Sequence, residues 1–433
     1  MSRKVKRPMS PSRYLFIGFF STIILGSVLL YLPISHNSGI SLTYVDALFT
    51  SVSAVCVTGL STIDIALSLN LFGRVVLAIL IMIGGMGVAG MIISIALFLG
   101  LRVGVSHSSI ISESYNLGTL KGTVRVLKVV IFTSLVLQLL GTVLLYPIFR
   151  ESYPFLESLG HSAFHSISAF NNAGFDLMGN FVSLNPYRNN IGFQLITMAL
   201  IVIGGLGFFV ISDILHTRFR WKQTTMHTKM VLSATGVLLL VGATSFYLFS
   251  EKSIIDSLFL SVTSRTAGFA TFDINSLFQV ELWTLVILMF IGASPGSTGG
   301  GVKTTTMFTV LLSLFPLKRK KDVAIFFRRI SNESVLKAYQ VCMLGILTIL
   351  STTFILLIGE QGKFETMSLL FESVSAFATV GLSTGVTVDL TSLSKFALMM
   401  AMFIGRVGPI TIASSFITKQ SELTYIPERV FIG

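Results

Sequence analysis

The sequence predicts an all-α polytopic membrane protein in which four pseudo-symmetric units, each a helix, a re-entrant pore helix with its loop, and a second helix, surround one central pore. Three observations carry this expectation: an apolar composition with few charges, eight apolar stretches of spanning length, and a fourfold recurrence of one glycine-centred pattern.

Of the 433 residues, 52% are hydrophobic and only 12% are charged, against roughly 25% charged in soluble domains. A water-soluble enzyme built from this chain would lack the polar surface to cover itself. Cys56 and Cys342 lie in separate apolar stretches, too few for a disulfide framework or a four-thiolate metal site. The formal net charge of +12 falls between apolar segments, where it reads as membrane topology rather than as a nucleic-acid surface.

Crossing a hydrocarbon core of ~30 Å takes about 20 helical residues. Stretches of that kind begin near Tyr14, Val75, Val126, Ile191, Met230, Trp283, Ala338 and Lys395. The first, Tyr14 to Leu32, is longer than a signal-peptide core and no small-x-small site follows it, so it is kept as a helix. Residues 1–13, 102–128, 213–229, 317–337 and 418–433 hold 22 of the 31 Lys and Arg, while 13 of the 19 acids lie in the intervening segments. Basic residues accumulate in loops retained in the cytoplasm. The expectation is a multi-pass protein of the cell membrane with cytoplasmic tails at 1–13 and 418–433.

The units span 14–100, 126–212, 230–315 and 338–417. Inside each lies a shorter apolar segment of shared shape: Asp46-ALFTSVSAVCVTGLSTID, His161-SAFHSISAFNNAGFD, Asp256-SLFLSVTSRTAGFATFD and Phe371-ESVSAFATVGLSTG. Each periodic part stops just before a glycine: Gly59, Gly174, Gly268 or Gly381. A second glycine signal follows 25, 30, 24 and 24 residues later, in Ile83-Gly84-Gly85-Met86-Gly87, Ile203-Gly204-Gly205-Leu206-Gly207, Ile291-Gly292-Ala293 and Ile404-Gly405-Arg406-Val407-Gly408. About a dozen helical residues reach only ~18 Å, too short to cross. Irregular backbone at membrane depth is tolerated where it is buried in protein or lines a water-filled cavity. Each segment is therefore expected to enter as a helix and return as an extended loop.

Glycine reaches positive φ without steric cost and leaves a lumen open. Four such loops would stack carbonyl oxygens in rings that replace the hydration shell of a large monovalent cation. The candidate filter comprises Val57, Thr58 and Gly59; Asn172, Ala173 and Gly174; Thr266, Ala267 and Gly268; and Thr379, Val380 and Gly381. Helix C-termini aimed at the pore, each with ~−0.5 of an elementary charge, would favour cations. No acid occupies 55–58, 170–173, 264–267 or 377–380, so a carboxylate ring for a divalent ion is not expected. Thr58, Asn172, Thr266 and Thr379 either orient the loops or add hydroxyl contacts.

The third unit breaks its own periodicity with Gly292, Pro295, Gly296, Ser297, Gly299, Gly300 and Gly301. An irregular intramembrane loop over 292–306 is expected, stabilised by Ser294, Ser297, Thr298 and Thr304 to Thr306. It reads as a gate below the filter; the alternative is a tightly packed kink. Arg406, a cation inside the last span, should face the pore or a buried partner, either as an electrostatic barrier that holds the gate loop by its carbonyls or as a tie between helices. Arg265 reads as a clamp on the third loop and Lys303 as a capping or pairing cation. The run Gly296 to Thr304 fails the phosphate-loop pattern because Val302 separates Gly301 from Lys303 and no strand precedes it. His161 and His165 share a helical face, but Ser162 stands where a zinc-peptidase helix needs glutamate, which leaves packing. The basic cluster Lys318, Arg319, Lys320, Lys321, Arg328 and Arg329 suits topology and anionic lipid head groups, with docking of an acidic cytosolic partner as a second use.

A membrane-embedded enzyme would need a nucleophile and base, or paired carboxylates, within the spans, and none is evident. An alternating-access carrier predicts two halves of opposite topology, whereas these four units start on one side.

At VTGLST, NNAGFD, SRTAGF and TVGLST, at Gly292-ASPGSTGGGVKTTT and at Phe403-IGRVGP, the chain resembles the Ktr, Trk and HKT superfamily of potassium transport proteins over nearly its whole length. With eight spans and no additional leading pair expected, it resembles the Ktr membrane subunit more than the longer Trk subunit. The resemblance implies potassium uptake through the four-glycine filter, with K+ ions in the pore as cargo, no cofactor on this chain, and gating by the third-unit loop. In that family four glycines accompany potassium preference, and serine in the first repeat accompanies sodium transport. It also implies a homodimer seated on a cytosolic ring of nucleotide-binding regulatory subunits of the RCK, Rossmann-type class; membrane lipids are the other expected partners.

Overall fold

The computed structural model describes residues 11–87, 90, 123–249, 252–314 and 323–416. The tails at 1–10 and 418–433, the end of the first unit at 91–100, the stretch 102–122 and the cluster Lys318 to Lys321 lie outside the described residues.

The first unit runs through α1 (Pro11–Tyr31), α2 (Tyr44–Cys56), the one-turn α3 (Ile65–Ser68) and α4 (Leu71–Met86). The second has α5 (Thr123–Arg150), α6 (Phe155–Phe170), α7 (Ile191–Leu206) and α8 (Phe208–Thr217). The third has α9 (Met226–Phe249), α10 (Ile254–Thr263), α11 (Gln279–Phe290) and α12 (Thr304–Leu314). A small antiparallel hairpin, β1 (Ala324–Ile325) and β2 (Arg328–Arg329), precedes the fourth unit of α13 (Asn332–Glu360), α14 (Thr366–Ala378), α15 (Ser392–Val407) and α16 (Pro409–Phe416).

The first helix of every unit is long and apolar enough to cross a membrane, and among the described residues these are the four that qualify. They begin a few residues ahead of the apolar runs because polar residues start them: the Ser331 hydroxyl accepts from the Ser334 amide and caps α13. Their outer faces keep Leu25, Leu139, Leu240 and Leu350 exposed, as a helix turned toward lipid requires.

The second helices differ from the sequence expectation of eight uninterrupted spans. In α4, α7 and α15 the helix closes on Gly87, Gly207 and Gly408, with φ of +75°, +93° and +93°. At Gly207 the chain bends by 94° into α8. These left-handed glycines end the hydrogen-bond ladder where an L side chain would be strained. In the third unit α11 stops at Phe290, and the irregular run closes at Lys303, just before α12 begins and three residues before the expected end at 306.

The short helices α2, α6, α10 and α14 fill the centre. Along α2 every residue from Phe49 to Cys56 is buried, as is every residue from Phe371 to Ala378 of α14. Three of them are tied to their unit's first helix in the same way: the Ser51, Ser166 and Ser261 hydroxyls donate to the Ile23, Gln138 and Leu239 carbonyls at 2.7, 2.6 and 2.9 Å. Gly26, Gly141 and Gly242 leave room for those serines; a Cβ at any of the three would collide with the facing hydroxyl.

Candidate functional site

Each short helix ends in the same three-residue turn. Val57, Asn172, Thr266 and Thr379 all take positive φ, at 58°, 56°, 84° and 51°, although none is glycine. Two residues on, Gly59, Gly174, Gly268 and Gly381 have φ of 96°, 70°, 76° and 97°. Alternating the backbone hand in this way points successive peptide planes to one side of the loop.

The four turns close into a ring. A Cβ added to Gly59 would lie 2.6 Å from the Ala173 carbonyl oxygen and 3.0 Å from Gly174 Cα; one on Gly174 would lie 2.7 Å from the Ala267 oxygen and 3.2 Å from Gly268 Cα. At Gly268 it would strike the Val380 oxygen, and at Gly381 the Thr58 oxygen, which returns to the start. Each glycine is thus packed on the backbone of the next unit, and all four border one cavity of about 490 Å³. Asp64, Asp176 and Asp273 also line this vestibule, and its lining contains no Lys or Arg.

Hydrogen bonds inside each unit set the turn, by one shared pattern in the first, second and fourth units and by Ala267 and Gly268 amides donating to the Thr263 carbonyl in the third. The Thr58, Ala173 and Val380 amides donate to the Ser53, Ser168 and Ser375 carbonyls at 2.8, 2.8 and 2.9 Å. In the first and fourth units a serine side chain adds a second bond, Gly59 N–H to Ser53 Oγ at 3.0 Å and Gly381 N–H to Ser375 Oγ at 3.1 Å. Ser168 occupies the same place in the second unit with its hydroxyl unpartnered among the described residues, and Val262 stands there in the third. Sequence reasoning passed over these serines, although a Ser-Ala pair stands at the same distance before Gly59, Gly174 and Gly381. Glu372 was missed as well: buried in the middle of α14, it accepts from the Ser383 and Thr387 hydroxyls and the Thr384 amide and fixes the chain beyond Gly381. Asp46 does the same for the first unit through Thr62 and joins it to the fourth through Lys395 at 3.0 Å. Arg188 and Asp256, at 2.8 Å, link the second and third.

Beneath the ring, the second helices approach the ends of the short helices at glycines. A Cβ at Gly84, Gly204 or Gly405 would overlap the Val55, Phe170 or Phe377 carbonyl. The irregular run after α11 lies in the same layer. Gly292 N–H donates to the Val302 carbonyl at 2.8 Å and closes the run on itself. Ser294 and Thr298 amides donate to the Gly205 and Gly204 carbonyls of the second unit at 3.1 and 3.4 Å, and Gly296 accepts from the Phe208 amide at 3.0 Å. Ser297 Oγ donates to the Ser294 carbonyl at 2.6 Å. On the fourth-unit side, Gly300 N–H donates to Thr379 Oγ1 at 2.9 Å and Gly301 N–H to the Gly405 carbonyl at 3.3 Å. A Cβ at Gly299 or Gly300 would collide with the Thr266 or Thr379 hydroxyl, so the run is seated directly against two of the four turns.

Arg406 completes this layer. Its guanidinium donates to the Thr298 carbonyl of the loop and to the Gly84 and Gly85 carbonyls of the first unit. Lys303 Nζ donates to the Gly299 carbonyl at 2.6 Å, so it holds the loop rather than capping α12. Arg265 differs from the clamp expected of it: its amide donates to the Val262 carbonyl at 3.2 Å, but among the described residues its buried Nε has no acceptor, and the residue packs beside Gly205, Thr235, Val262 and Ala293. Asn172 and Thr266 meet side chain to side chain at 3.1 Å, joining the second and third turns. His165 is buried against Phe193 and bonded to Thr197 at 3.0 Å, and His161 stacks on Tyr153 with ring centroids 4.3 Å apart.

Comparison with known proteins agrees with this architecture. The family model described as "Cation transport protein" (TrkH) matches residues 13–424. The chain is 38% identical to the Ktr system potassium uptake protein D of Bacillus subtilis, with 99% of each chain covered. It is 35% identical to the potassium/sodium uptake protein NtpJ of Enterococcus hirae, covering 100% of this chain and 99% of the relative. Among solved structures, the potassium transporter TrkH of Vibrio parahaemolyticus aligns with a TM-score of 0.74 at 19% identity, over 96% of this chain and 87% of that one. That likeness shows the fold.

Proposed function

Since the chain belongs to the TrkH family of cation transport proteins and is a multi-pass membrane protein, we propose that it carries potassium into the cell through the glycine-ringed axis. The single observation that carries this reading is the closed ring of Gly59, Gly174, Gly268 and Gly381 at the edge of the acid-lined vestibule. Carbonyl oxygens of the four turns stand in for water around the ion, and Asp64, Asp176 and Asp273 raise the local cation concentration. Glycine at all four positions favours potassium over sodium. The likeness to proteins named for potassium uptake supports the same cargo.

The run from Gly292 to Gly301, held by Arg406 and Lys303, acts as the gate: it lies below the filter and no side chain fits between it and the Thr266 and Thr379 hydroxyls. Movement of the loop would require the bonds to Gly204, Gly205, Thr379 and Gly405 to open together. The relatives named as parts of a Ktr system support association with a separate regulatory subunit. We read that partner as a cytosolic nucleotide-binding ring on which a homodimer of this chain sits, with both termini on the ring's side of the membrane.

Purified protein in proteoliposomes tests the central claim. Rubidium-86 uptake driven by a potassium gradient is expected, inhibited by external potassium at concentrations where sodium has about a tenth of the effect or less. Equal inhibition by sodium, or no uptake by protein that elutes as a single folded species, would overturn it.

A further inference from the structure

At the end of the molecule away from the vestibule, two connecting segments form an exposed patch that ion passage does not use. The hairpin pairs Ala324 with Arg329 and Ile325 with Arg328, leaving Phe326 and Phe327 as its two-residue turn. Both have positive φ, 50° and 61°. A turn of that kind is built without strain by Asn-Gly, and bulky residues at positive φ are rare. Phe327 is nevertheless fully exposed. The segment before α9 repeats the pattern: Arg218 and Phe219 have φ of 50° and 60°, and Phe219 and Trp221 are exposed. The two segments touch, with the Trp221 and Phe326 ring centroids 6.3 Å apart at an interplanar angle of 81°.

Charge surrounds these rings. Arg218, Arg220, Lys222, Arg328 and Arg329 are all exposed, and neither 216–224 nor 323–331 contains an acid; Asp322 directly precedes the second stretch and Glu333, in the first turn of α13, follows it. The patch immediately precedes α9 and α13, two helices of spanning length, so it sits at the level of a membrane surface. Tryptophan is enriched at that level, basic side chains there are drawn to anionic head groups within a Debye length, and an apolar ring is better placed among acyl chains than in water.

We propose that this patch is a contact for anionic phospholipid of the leaflet opposite the vestibule. Phe219, Trp221 and Phe327 lie among the upper acyl chains, and Arg218, Arg220, Lys222 and Arg328 hold head-group phosphates. The assignment needs only that the chain spans a membrane, so its test is separate from the ion carried.

The chain has two tryptophans, Trp221 and Trp283, so Trp283→Phe leaves Trp221 as the sole reporter. In nanodiscs, phosphatidylglycerol brominated near the head group is expected to quench Trp221 about twice as strongly as brominated phosphatidylcholine at equal mole fraction. Adding R218Q/R220Q/R328Q should bring that ratio to about one while quenching persists. F326N/F327G, which suits the turn better, should leave the fold intact and weaken quenching by both lipids. Equal quenching in the parent overturns the head-group preference. Quenching of Trp221 by aqueous iodide and by neither lipid, with or without protection when a cytosolic protein is added, overturns the lipid contact and assigns the patch to water or to a protein.

Discussion

The third unit keeps its place in the glycine ring but abandons the helix behind it, and the other three units show what it gave up. In the first, second and fourth, a helix of 16 residues passes the end of the short helix, presents a glycine to its carbonyl and then breaks at a single left-handed glycine. In the third, the helix has only 12 residues, and Ile291 to Lys303 crosses beneath the glycine ring instead. Symmetry is held where four equivalent contacts are needed and relaxed where one segment must meet all of its neighbours. The unit that departs from the pattern bonds to the second unit at Gly204 and Gly205, to the fourth at Thr379 and Gly405, and through Arg406 to the first.

The sharpest way to break this comparison is to ask whether the four ring positions are equivalent despite the asymmetry below them. Alanine at Gly59, Gly174, Gly268 or Gly381 places a methyl group on the backbone of the next unit at a φ that costs roughly 1–2 kcal/mol by itself. Rubidium uptake should fall about tenfold or more for each, Gly268→Ala included. Gly39→Ala is the control: its φ is 83°, yet a Cβ there meets nothing within 4 Å, so the change should cost about 1 kcal/mol of stability and leave uptake within about twofold. Tolerance at Gly268 alone would show that the third turn does not share the work of the ring.

Deleting Gly299 to Gly301 tests the other side of the comparison. It removes the bonds to Thr379 and Gly405 and the carbonyls that hold Lys303. Uptake measured without any partner should rise about fivefold. An unchanged rate would make the run a packed kink. Arg406→Gln is milder, since the amide can keep one of the carbonyl contacts while the positive charge is lost. A rise of about threefold, with a lower melting temperature, is expected. A lower melting temperature with unchanged uptake would leave Arg406 as a tie between helices.

The glycines and the interrupted third helix were legible because glycine and proline are where backbone constraint shows in sequence. Less legible was the turn hand at Val57, Asn172, Thr266 and Thr379, since a valine, an asparagine and two threonines share a conformation that only asparagine takes readily; the ring imposes it. The breaks after Met86, Leu206 and Val407 were hidden for a related reason. Each lies in an apolar run that hydropathy alone reads as continuous, and only the spacing of Gly84 and Gly87, Gly204 and Gly207, and Gly405 and Gly408 marks one glycine for close approach and the next for the bend. Arg265 shows the limit in the other direction: its charge suggested a clamp, whereas its buried Nε meets no acceptor among the described residues.

The smallest expected effect separates the symmetric units from one another. Ser53 and Ser375 each give the ring glycine of their unit a side-chain bond, whereas Ser168, at the equivalent place, has no partner among the described residues. A neutral hydrogen bond of this kind contributes about 1 kcal/mol net. Ser53→Ala and Ser375→Ala leave a glycine amide without that acceptor next to the ion path, so each should loosen one turn and lower the potassium-to-sodium uptake ratio by about twofold to fivefold. Ser168→Ala removes an unbonded hydroxyl and should change the ratio little. A drop of equal size in all three variants would mean that burial of a small polar group, and not the bond to the filter amide, governs the turn; no drop in any would place the control of selectivity in the carbonyl ring alone.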